Sequence, residues 1–468
     1  MIKKKYMLII LATVILGFSI KSIATIVKEM NSLKLHIDSV VVDTHNDTMM
    51  RIIDDTTWLP KIDIRNETEN QIDIPKMRAG NLRVAFFAAY STAYYGNPQK
   101  SISRTLALIN ALYWTEKNNS DIFNITSTFD EIEKAVLDWK IAAVPSIEGA
   151  YSLDNNNAIE LVRQYYDLGI KAIGFTWNYS NALGEGGYKA FADATGTRSP
   201  EGLTKLGEEV IKEMNKLGMI IDVSHLSEDS FWDVIKATEA PIIASHSGVY
   251  NIKNHVRNLN DKQLKALAEN GGVIGVVLYP DFLGDPDNVY IKDYVDHIDY
   301  IVKLIGIDHV GIGSDFDGAS MPKDMKDSSE LYKITEELVK RGYKDEDIKK
   351  ILGKNTLRVI KEVEKLAEDI NAAEGINIIP SYEMGQITTE SKPLLTAKVE
   401  LVHGPDLDEG SFRVVVDGIE YKPKYNKETA LISLQVSSEL IERFHVVTFE
   451  ATNKAGQVQR ETRIFYID

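Results

Sequence analysis

Histidine and acidic residues follow several short apolar runs of this sequence, a placement that can build a metal-dependent active site. In the stretch VVDTHNDTMM (Val41 to Met50), a β-branched run ends in an acid, and His45 and Asp47 stand two residues apart in a polar turn. The pair alone has two interpretations, the edge of a metal site or a polar loop that caps a strand. Its meaning depends on which residues the fold brings beside it.

Four further residues occupy the same kind of position, directly after an apolar run. They are Glu148 in PSIEGAY, His225 in IDVSHLS, His246 in IIASHSG and Asp315 in GIGSDFDG. A single histidine at a strand end is more often a hydrogen-bonded structural residue than a ligand. Separate strands that all deliver histidine or carboxylate to one rim are much harder to ascribe to packing.

This set of side chains is chemically coherent for a metal centre. The sequence contains no cysteine, so any ion must be held by His, Asp and Glu, a donor set that suits zinc or a related divalent ion. With His45 included, the donors exceed one tetrahedral site and suffice for two ions bridged by one carboxylate. Two ions roughly 3.5–4 Å apart can hold a hydroxide and polarise a carbonyl together. The set therefore predicts hydrolysis of an amide or ester, with Asp315 close enough to pass a proton to the leaving amine.

The elements that must position these residues alternate between short β-rich runs and amphipathic helical patterns. Eight runs are predicted as strands: Ser39–Asp43, Arg83–Ala89, Ile141–Ile147, Ile170–Thr176, Met219–Ser224, Pro241–Ala244, Val273–Leu278 and His309–Gly313. Most are near-continuous Val, Ile and Ala runs, as in strands covered on both faces. Eight strand-then-helix units predict an α/β fold, a (β/α)₈ TIM-like barrel, whose function gathers at the carboxyl ends of its strands. An open doubly wound sheet is the rival, but no glycine-rich phosphate turn follows the first strand.

The composition changes near Ile378, where a second region begins. Residues 31–375 are predicted to form the barrel domain and residues 376–392 a linker. Residues 393–468 contain alternating strands separated by Gly, Asp and Asn turns, which predicts a small all-β immunoglobulin-like sandwich. His403 and His445 in this region have no partners at ligand spacing, so we expect both to be ordinary structural residues.

The first residues, MIKKKYMLIILATVILGFSI, have the layout of an export signal. Three lysines precede an apolar run from Tyr6 to Ile20, shorter than the roughly 20 residues that a membrane span needs. Residues 1–30 are therefore predicted to be a signal peptide or an uncleaved membrane anchor, with the body of the protein exported, secreted or anchored at the cell surface. The formal charge of −16 and the absence of a basic stripe argue against a nucleic-acid partner.

The motifs around these residues resemble one known family. The HxD pair, SIEG, DVSH, ASHS, a downstream RN and GIGSDFDG occur here in the order and spacing of the membrane dipeptidase (renal dipeptidase) family, which has a metal-dependent amidohydrolase-type barrel. The resemblance covers roughly Ile37 to Leu366. It implies the following roles: one zinc on His45 and Asp47, a second on His225 and His246, Glu148 as the bridge, Arg257 on the substrate carboxylate and Asp315 as the catalytic acid.

Three positions beyond the ligand set carry alternatives. Arg257 in NHVRNLND has a planar fork that suits a carboxylate, but it could equally pair with Asp261 on the barrel surface. Tyr279 is either a substrate-contacting aromatic or an amphipathic core residue. Trp177 in GFTWNYSN stands where mammalian members carry a histidine that approaches the substrate carbonyl. Because Trp cannot accept a proton, stabilisation of the transition state would rest more on the metals, or on Asn178 nearby.

The resulting prediction is an exported dizinc dipeptidase acting on dipeptides or short peptides, including those with a C-terminal D-residue, with a homodimer as the candidate assembly. Two other functions stay open. One is another amide or lactone hydrolase on the same barrel, although strand four lacks the lysine that often bridges such metals. The other is a non-catalytic envelope protein that binds peptide or polysaccharide through its sandwich domain.

Overall fold

The computed structural model describes residues 28–92, 97–191, 201–367 and 375–468. Residues 1–27 of the predicted signal or anchor segment lie outside the described residues, and residues 28–37 form the helix α1. Among the helices of these ranges, none combines the length and the apolar character that a membrane span requires.

A closed barrel of parallel strands forms the first domain, as predicted. Its sheet comprises β1 (Val41–Asn46), β2 (Leu82–Tyr90), β3 (Phe123–Ile125), β4 (Ile141–Glu148), β5 (Ala172–Gly174), β6 (Ile220–Asp222), β7 (Ile243–Ser247), β8 (Val273–Val277) and β9 (Val310–Gly313). The order is β2-β1-β9-β8-β7-β6-β5-β4, and pairing of β2 with β4 closes the ring of eight. Each of the eight predicted strands overlaps one strand of this ring. The three-residue β3, which pairs only with the start of β4, carries no recognisable sequence period and was not predicted.

Helices surround the barrel and connect its strands. After α1 they are α2 (Thr48–Ile52), α3 (Ile74–Ala79), α4 (Pro98–Asn119), α5 (Phe129–Leu137), α6 (Ala158–Asp167), α7 (Lys205–Leu217), α8 (Glu228–Ala237), α9 (Asp261–Glu269), α10 (Pro280–Leu283), α11 (Ile291–Ile305), α12 (Tyr332–Arg341), α13 (Asp345–Lys349) and α14 (Asn355–Glu364). Their ends follow local sequence signals. In α7, for example, the Thr204 hydroxyl accepts from the Gly207 N–H, and Gly218 ends the helix with a φ of 68°.

The closing helices pack tightly against the first strand. A single π-helical turn, Lys350–Lys354, joins α13 to α14. Within it, Gly353 faces the carbonyl of Val40, and a β-carbon at this position would collide with that oxygen. Gly353 therefore lets the closing helix approach the residue that precedes β1, the strand that carries His45.

The C-terminal domain is a small all-β sandwich of two sheets. Its strands are β10 (Ile376–Pro380), β11 (Gln386–Thr388), β12 (Leu394–Leu401), β13 (Arg413–Val416), β14 (Ile419–Tyr421), β15 (Lys424–Asn426), β16 (Leu431–Gln435), β17 (Phe444–Thr452) and β18 (Val458–Ile467). One sheet has the order β10-β12-β16-β15 and the other β11-β18-β17-β13-β14. Side chains such as Val399 from the first sheet and Phe449 from the second share one apolar core.

Residues 376–392, which we expected to form a linker, contain two strands of this sandwich. β10 pairs along its whole length with β12, and β11 pairs in parallel with β18. The Pro and Ser/Thr content of the segment resembles that of a linker, whereas its pairing depends on partners up to about 80 residues further on in the sequence. The sandwich therefore begins at Ile376.

The sandwich is docked on the barrel. Phe444 and Tyr466, on the outer face of the five-stranded sheet, belong to the apolar core that the barrel helices share. Gln164 of α6 donates to the Val415 carbonyl at 3.1 Å and the Thr448 hydroxyl at 3.0 Å. Both faces of β17 are consequently buried, one within the sandwich and one against the barrel.

Candidate active site

The carboxyl ends of the barrel strands bring the six predicted histidine and acidic side chains to one rim. His45 lies near the end of β1 and Asp47 follows that strand, Glu148 is the last residue of β4, His246 lies in β7, and His225 and Asp315 follow β6 and β9. Five of the six residues are buried, and the side chain of Asp315 is 15% exposed. The positions of these residues at predicted strand ends therefore indicated that their side chains meet at one rim.

Two of the rim residues have left-handed backbone conformations. The φ angle is 68° at His225 and 62° at Asp315, a region that residues with a β-carbon seldom adopt. Such conformations cost free energy and are concentrated at functional sites. They occur here at the turns that follow β6 and β9.

Glu148 stands at the centre of the rim residues. Its Oε2 lies 3.4 Å from His45 Nε2, while its Oε1 lies 2.8 Å from His225 Nε2 and 3.5 Å from His246 Nε2. The rim residues form two triads whose donor atoms lie within 4.8 Å of one another. One consists of Glu148, His225 and His246, and the other of His45, Asp47 and Asp315. The carboxylate of Glu148 thus reaches both groups, which is the geometry of a bridging ligand.

Hydrogen bonds beyond the rim fix the orientation of His225. Its Nδ1 lies 2.9 Å from Oδ1 of Asn178, an oxygen that can only accept, as assigned from the surrounding contacts. The proton of the neutral imidazole is therefore on Nδ1, and the lone pair on Nε2 points toward Glu148. Asn178 acts here as a positioning residue for His225.

A longer relay fixes the orientation of His246. The Ser245 hydroxyl donates to Asp222 Oδ2 at 2.5 Å, so its oxygen accepts from His246 Nδ1 at 2.8 Å. Asp222 Oδ1 also accepts from the backbone N–H groups of Ser224 and Ser245. Asp222 lies within 4.8 Å of His45 and His246 as well, but its oxygens already have protein donors, so we assign it to positioning rather than to metal binding.

The donor set fits a pair of divalent cations. His225 Nε2 and His246 Nε2 lie only 2.9 Å apart, and both are lone-pair atoms in the tautomers that Asn178 and Ser245 impose. His45 Nε2 and Asp47 Oδ1 are buried without a hydrogen-bond partner. A buried cluster of acceptors that face acceptors is unfavourable unless cations lie between them. The His and carboxylate donors are of the type that zinc and related ions accept.

The electrostatics agree with ligands that are ready to bind metal. Burial, together with the nearby Arg257, lowers the pKa of His225 to about 3, so its imidazole is neutral at neutral pH. Burial also lowers the pKa of His246 well below its ordinary value. Burial would raise the pKa of Glu148, but the nearby imidazoles, His45 above all, hold it well below the usual range. The bridging candidate is thus a carboxylate beside two neutral imidazoles and next to His45, whose pKa burial would lower but Glu148 and Asp47 raise well above its ordinary value.

A cavity of about 950 Å³ opens above the rim. Besides rim residues, the side chains that line it include Met50, Arg51, Tyr90, Trp177, Asn178, Tyr188, Lys253, His255, Arg257, Tyr279, Asp281, Phe282 and Ser320. The cavity therefore combines the candidate metal ligands with aromatic and basic walls, and it has room for a small peptide.

Comparison with known proteins identifies the family. Residues 29–374 match the model of the membrane dipeptidase family, peptidase family M19. The chain belongs to this family. An uncharacterized dipeptidase of Schizosaccharomyces pombe is 35% identical over 343 residues, which cover 70% of this chain and 81% of that protein. The chain is therefore a metallo-dipeptidase, a hydrolase of dipeptides whose family uses divalent metal ions.

Solved structures of metallopeptidases show the same barrel. A metallopeptidase from Rhodobacter sphaeroides, liganded with a phosphinate mimic of the dipeptide L-Ala-D-Ala, superimposes with a TM-score of 0.62 at 25% identity, covering 70% of this chain and 100% of that one. A probable dipeptidase from Pseudomonas aeruginosa gives a TM-score of 0.64 at 26% identity, over 73% of this chain and 99% of that chain. Family and rim together support a dipeptide hydrolase rather than a non-catalytic envelope protein.

In this member of the family, Arg257 faces the cavity and not the barrel surface. It is 4% exposed, its Nη2 donates to the His246 carbonyl at 3.2 Å, and its Nε is buried without a partner. Asp261, the alternative partner weighed from the sequence, instead accepts from the Tyr300 hydroxyl at 2.8 Å. Arg257 therefore keeps donors available for an anion in the cavity.

The two predicted aromatic contacts also line the cavity. The ring of Trp177 lies 6.1 Å from the ring of His225 and 5.5 Å from that of Tyr90. Tyr279 packs on Phe282, and its hydroxyl is hydrogen-bonded to Asp281. Asn178, which the sequence suggested as a substitute for the family histidine, has its side-chain oxygen engaged by His225.

Two features of the site were not identified from the sequence. One is the relay from Asp222 through Ser245, for which the only signal was an acid three residues before His225 in IDVSH. The other is His255, which was not among the candidates from the sequence but which lines the cavity, its ring 4.4 Å from that of Phe282. His255 lies in a loop rather than at a strand end, so the predicted strands gave no indication of its position.

Proposed function

We propose that this chain is an exported, zinc-dependent dipeptidase that holds two metal ions and cleaves the peptide bond of dipeptides, including those with a C-terminal D-residue. The observation that carries the proposal is the pair of adjoining triads joined by Glu148, with buried atoms of His45 and Asp47 that have no hydrogen-bond partner. Two bound ions would polarise the substrate carbonyl and activate water there.

The residues of the chain supply the remaining functions. Arg257 binds the free carboxylate of the substrate and thereby sets the distance from the carboxylate to the scissile bond. Asp315, whose Oδ1 lies 3.9 Å from His45 Nε2, is placed to hold a proton for the leaving amine. A substrate that lacks a free C-terminal carboxylate would lose the contact with Arg257, so dipeptides are preferred over blocked peptides.

The tolerance of a C-terminal D-residue is supported by a related structure, and export is supported by the sequence. The metallopeptidase from Rhodobacter sphaeroides was liganded with a mimic of L-Ala-D-Ala, which supports tolerance of a C-terminal D-residue. Export is supported by the three lysines and the apolar run of residues 1–20. Fractionation of cells expressing the full chain, with and without residues 1–27, tests export, and light scattering of the purified protein tests the predicted homodimer.

A metal analysis combined with a dipeptide panel tests the activity. Purified protein should contain about two zinc ions per chain and release amino acids from L-Ala-L-Ala and L-Ala-D-Ala, but not from the C-terminally amidated dipeptides. His225→Ala should abolish hydrolysis while far-UV circular dichroism remains unchanged, and His403→Ala, an exposed residue of the sandwich, serves as the matched control. Wild-type protein without bound metal, or an active His225→Ala variant, would refute the proposal.

A further inference from the structure

Two basic side chains of one loop face the cavity without a carboxylate partner. Lys253 and Arg257 both lie between β7 and α9, and both line the cavity. Among the described residues, no acid forms an ion pair with either of them within 4.0 Å. The acid on this wall, Asp281, is instead hydrogen-bonded to Tyr279. The loop thus offers two positive charges, one more than the carboxylate of a simple dipeptide requires.

The position of Lys253 is built into the wall of the cavity. Buried Asn258 donates to the Lys253 carbonyl at 2.9 Å and to the Phe282 carbonyl at 2.8 Å, and the Lys253 N–H donates to the Val249 carbonyl at 3.0 Å. The guanidinium of Arg257 lies 5.5 Å from the centre of the Phe282 ring. Phe282 and Asn258 therefore hold both basic residues on the same framework.

The charge of the cavity favours an additional anion. Four carboxylates line it (Asp47, Glu148, Asp281 and Asp315), against three basic side chains (Arg51, Lys253 and Arg257). Two bound divalent ions would therefore leave an excess of three positive charges. A dipeptide with neutral side chains carries no net charge and leaves this excess intact, whereas an acidic side chain on the substrate reduces it.

Of the two basic residues not assigned to the substrate carboxylate, Lys253 shares the loop of Arg257 and is therefore the candidate for a contact with the C-terminal residue of the substrate. Arg51 lies in α2, and its Nε donates to the Asp317 carbonyl at 2.8 Å, on the side of the ligand Asp47. Lys253 stands four residues from Arg257 in the same loop. The α-carboxylate and the side-chain carboxylate of one Asp or Glu residue are likewise close neighbours.

We propose that Lys253 is a specificity-determining residue that binds an acidic side chain on the C-terminal residue of the dipeptide while Arg257 binds its α-carboxylate. This inference rests on the proposed function and adds to it a preference for dipeptides that end in Asp or Glu. Because Lys253 is only half-buried, the contact should be worth roughly a three- to tenfold preference, expressed mainly in KM and weakened by salt.

Matched pairs of acidic and neutral dipeptides test this inference. The quantity to measure is the ratio of kcat/KM for Ala-Glu to that for Ala-Gln, with L- and D-forms of the C-terminal residue, at low and high ionic strength. Wild-type enzyme should favour Ala-Glu. Lys253→Met should bring the ratio to about one, and Lys253→Glu should reverse it and favour Ala-Lys over Ala-Gln. Lys262→Met removes an exposed lysine of α9 outside the cavity and should leave the ratio unchanged.

The outcomes separate this inference from the proposed function. If no dipeptide is hydrolysed, the proposed function fails. If Ala-Gln and Ala-Glu are cleaved with equal efficiency by the wild-type enzyme, the dipeptidase activity stands and the role of Lys253 is refuted. Retention of the preference in Lys253→Met would refute it as well.

Discussion

Two buried polar clusters of this molecule differ in whether all of their polar atoms find hydrogen-bond partners within the protein. At the interface of barrel and sandwich, Gln164 donates to Val415 and Thr448 and accepts from the Gly418 N–H at 2.7 Å. At the barrel rim, by contrast, His45 Nε2 and Asp47 Oδ1 have no hydrogen-bond partner. Both clusters lie in the interior, where an unpaired polar atom is costly.

The difference distinguishes a structural cluster from a functional one. A cluster whose donors meet acceptors within the protein stabilises the fold and needs nothing further. A cluster in which acceptors face acceptors, such as His225 Nε2 beside Glu148 Oε1 at 2.8 Å, is complete only with a cation. Variants of the first cluster should therefore change stability, and variants of the second should change metal binding and activity.

Loss of the bridging carboxylate should have the largest effect. Glu148→Gln keeps the shape of the side chain but removes the charge that reaches both triads. We expect less than two metal ions per chain and a fall in kcat/KM of at least about a thousandfold, about 4 kcal/mol of transition-state stabilisation. Elemental analysis and dipeptide hydrolysis measure the two effects.

The same variant should leave the metal-free fold intact. Because the surrounding histidines hold the pKa of Glu148 well below its usual range, its carboxylate contributes to stability, so the metal-free variant should fold but should unfold at a somewhat lower midpoint than metal-free wild type. A Glu148→Gln variant that keeps both ions and full activity would remove Glu148 from the bridge.

The interface cluster should show the opposite response. Gln164→Ala removes three hydrogen bonds and leaves the buried Gly418 N–H without its acceptor. We expect a loss of roughly 2–4 kcal/mol in the free energy of unfolding, measured with urea, and unchanged kcat/KM. Gln386→Ala on exposed β11 is the control. Loss of activity in folded Gln164→Ala would show that the sandwich influences the site.

The sequence predicted the rim better than the interface, and the reason is physical. His45, Glu148, His225 and Asp315 were found because the carboxyl ends of parallel strands meet at one rim regardless of detail. β17 shows the limit of such reasoning. Thr448 and Glu450, on the face toward the barrel, look like residues exposed to solvent, yet Gln164 and basic residues bury them. A polar face that finds polar partners in another domain cannot be recognised from its own periodicity.

The relay behind His246 was missed for a related reason. Asp222 and Ser245 lie 23 residues apart on neighbouring strands, and only tertiary structure brings the hydroxyl to the carboxylate. Ligand types and strand ends predicted which residues meet, but not which hydrogen bonds orient them. Variants of such positioning residues therefore compare the two clusters at the level of single hydrogen bonds.

Disturbing that relay should weaken metal binding moderately. In Asp222→Asn, the new amide donates to Ser245, whose hydroxyl then donates to His246 Nδ1 and shifts the imidazole proton to Nε2, where it blocks the lone pair. We expect roughly a 10- to 100-fold loss of metal affinity, measured by competition with a chelating dye. Unchanged affinity would show that Asp222 only supports the fold, whereas Asp222→Glu should recover part of the affinity.

We expect the smallest effect for a pair within the sandwich whose polar atoms are hydrogen-bonded within the protein. His445 Nδ1 lies 2.6 Å from Asp417 Oδ2, and its Nε2 lies 2.7 Å from the Glu442 carbonyl. Burial would lower the pKa of His445, but Asp417 and the Glu442 carbonyl raise it above its ordinary value. The stability from this raised pKa is fully present below about pH 6.5, the pKa of an unfolded histidine, and fades as pH rises through the folded value.

His445→Gln should therefore cost about 1 kcal/mol at pH 6 and progressively less toward pH 9, as measured by urea unfolding across that range. His403→Gln, at an exposed position of the same domain, should show no such trend. A cost that grows with pH would contradict this account, because the charge that pairs with the Asp417 carboxylate exists only while the imidazole is protonated. Metal content and kcat/KM should not change, since this pair, unlike the rim, needs no cation from outside.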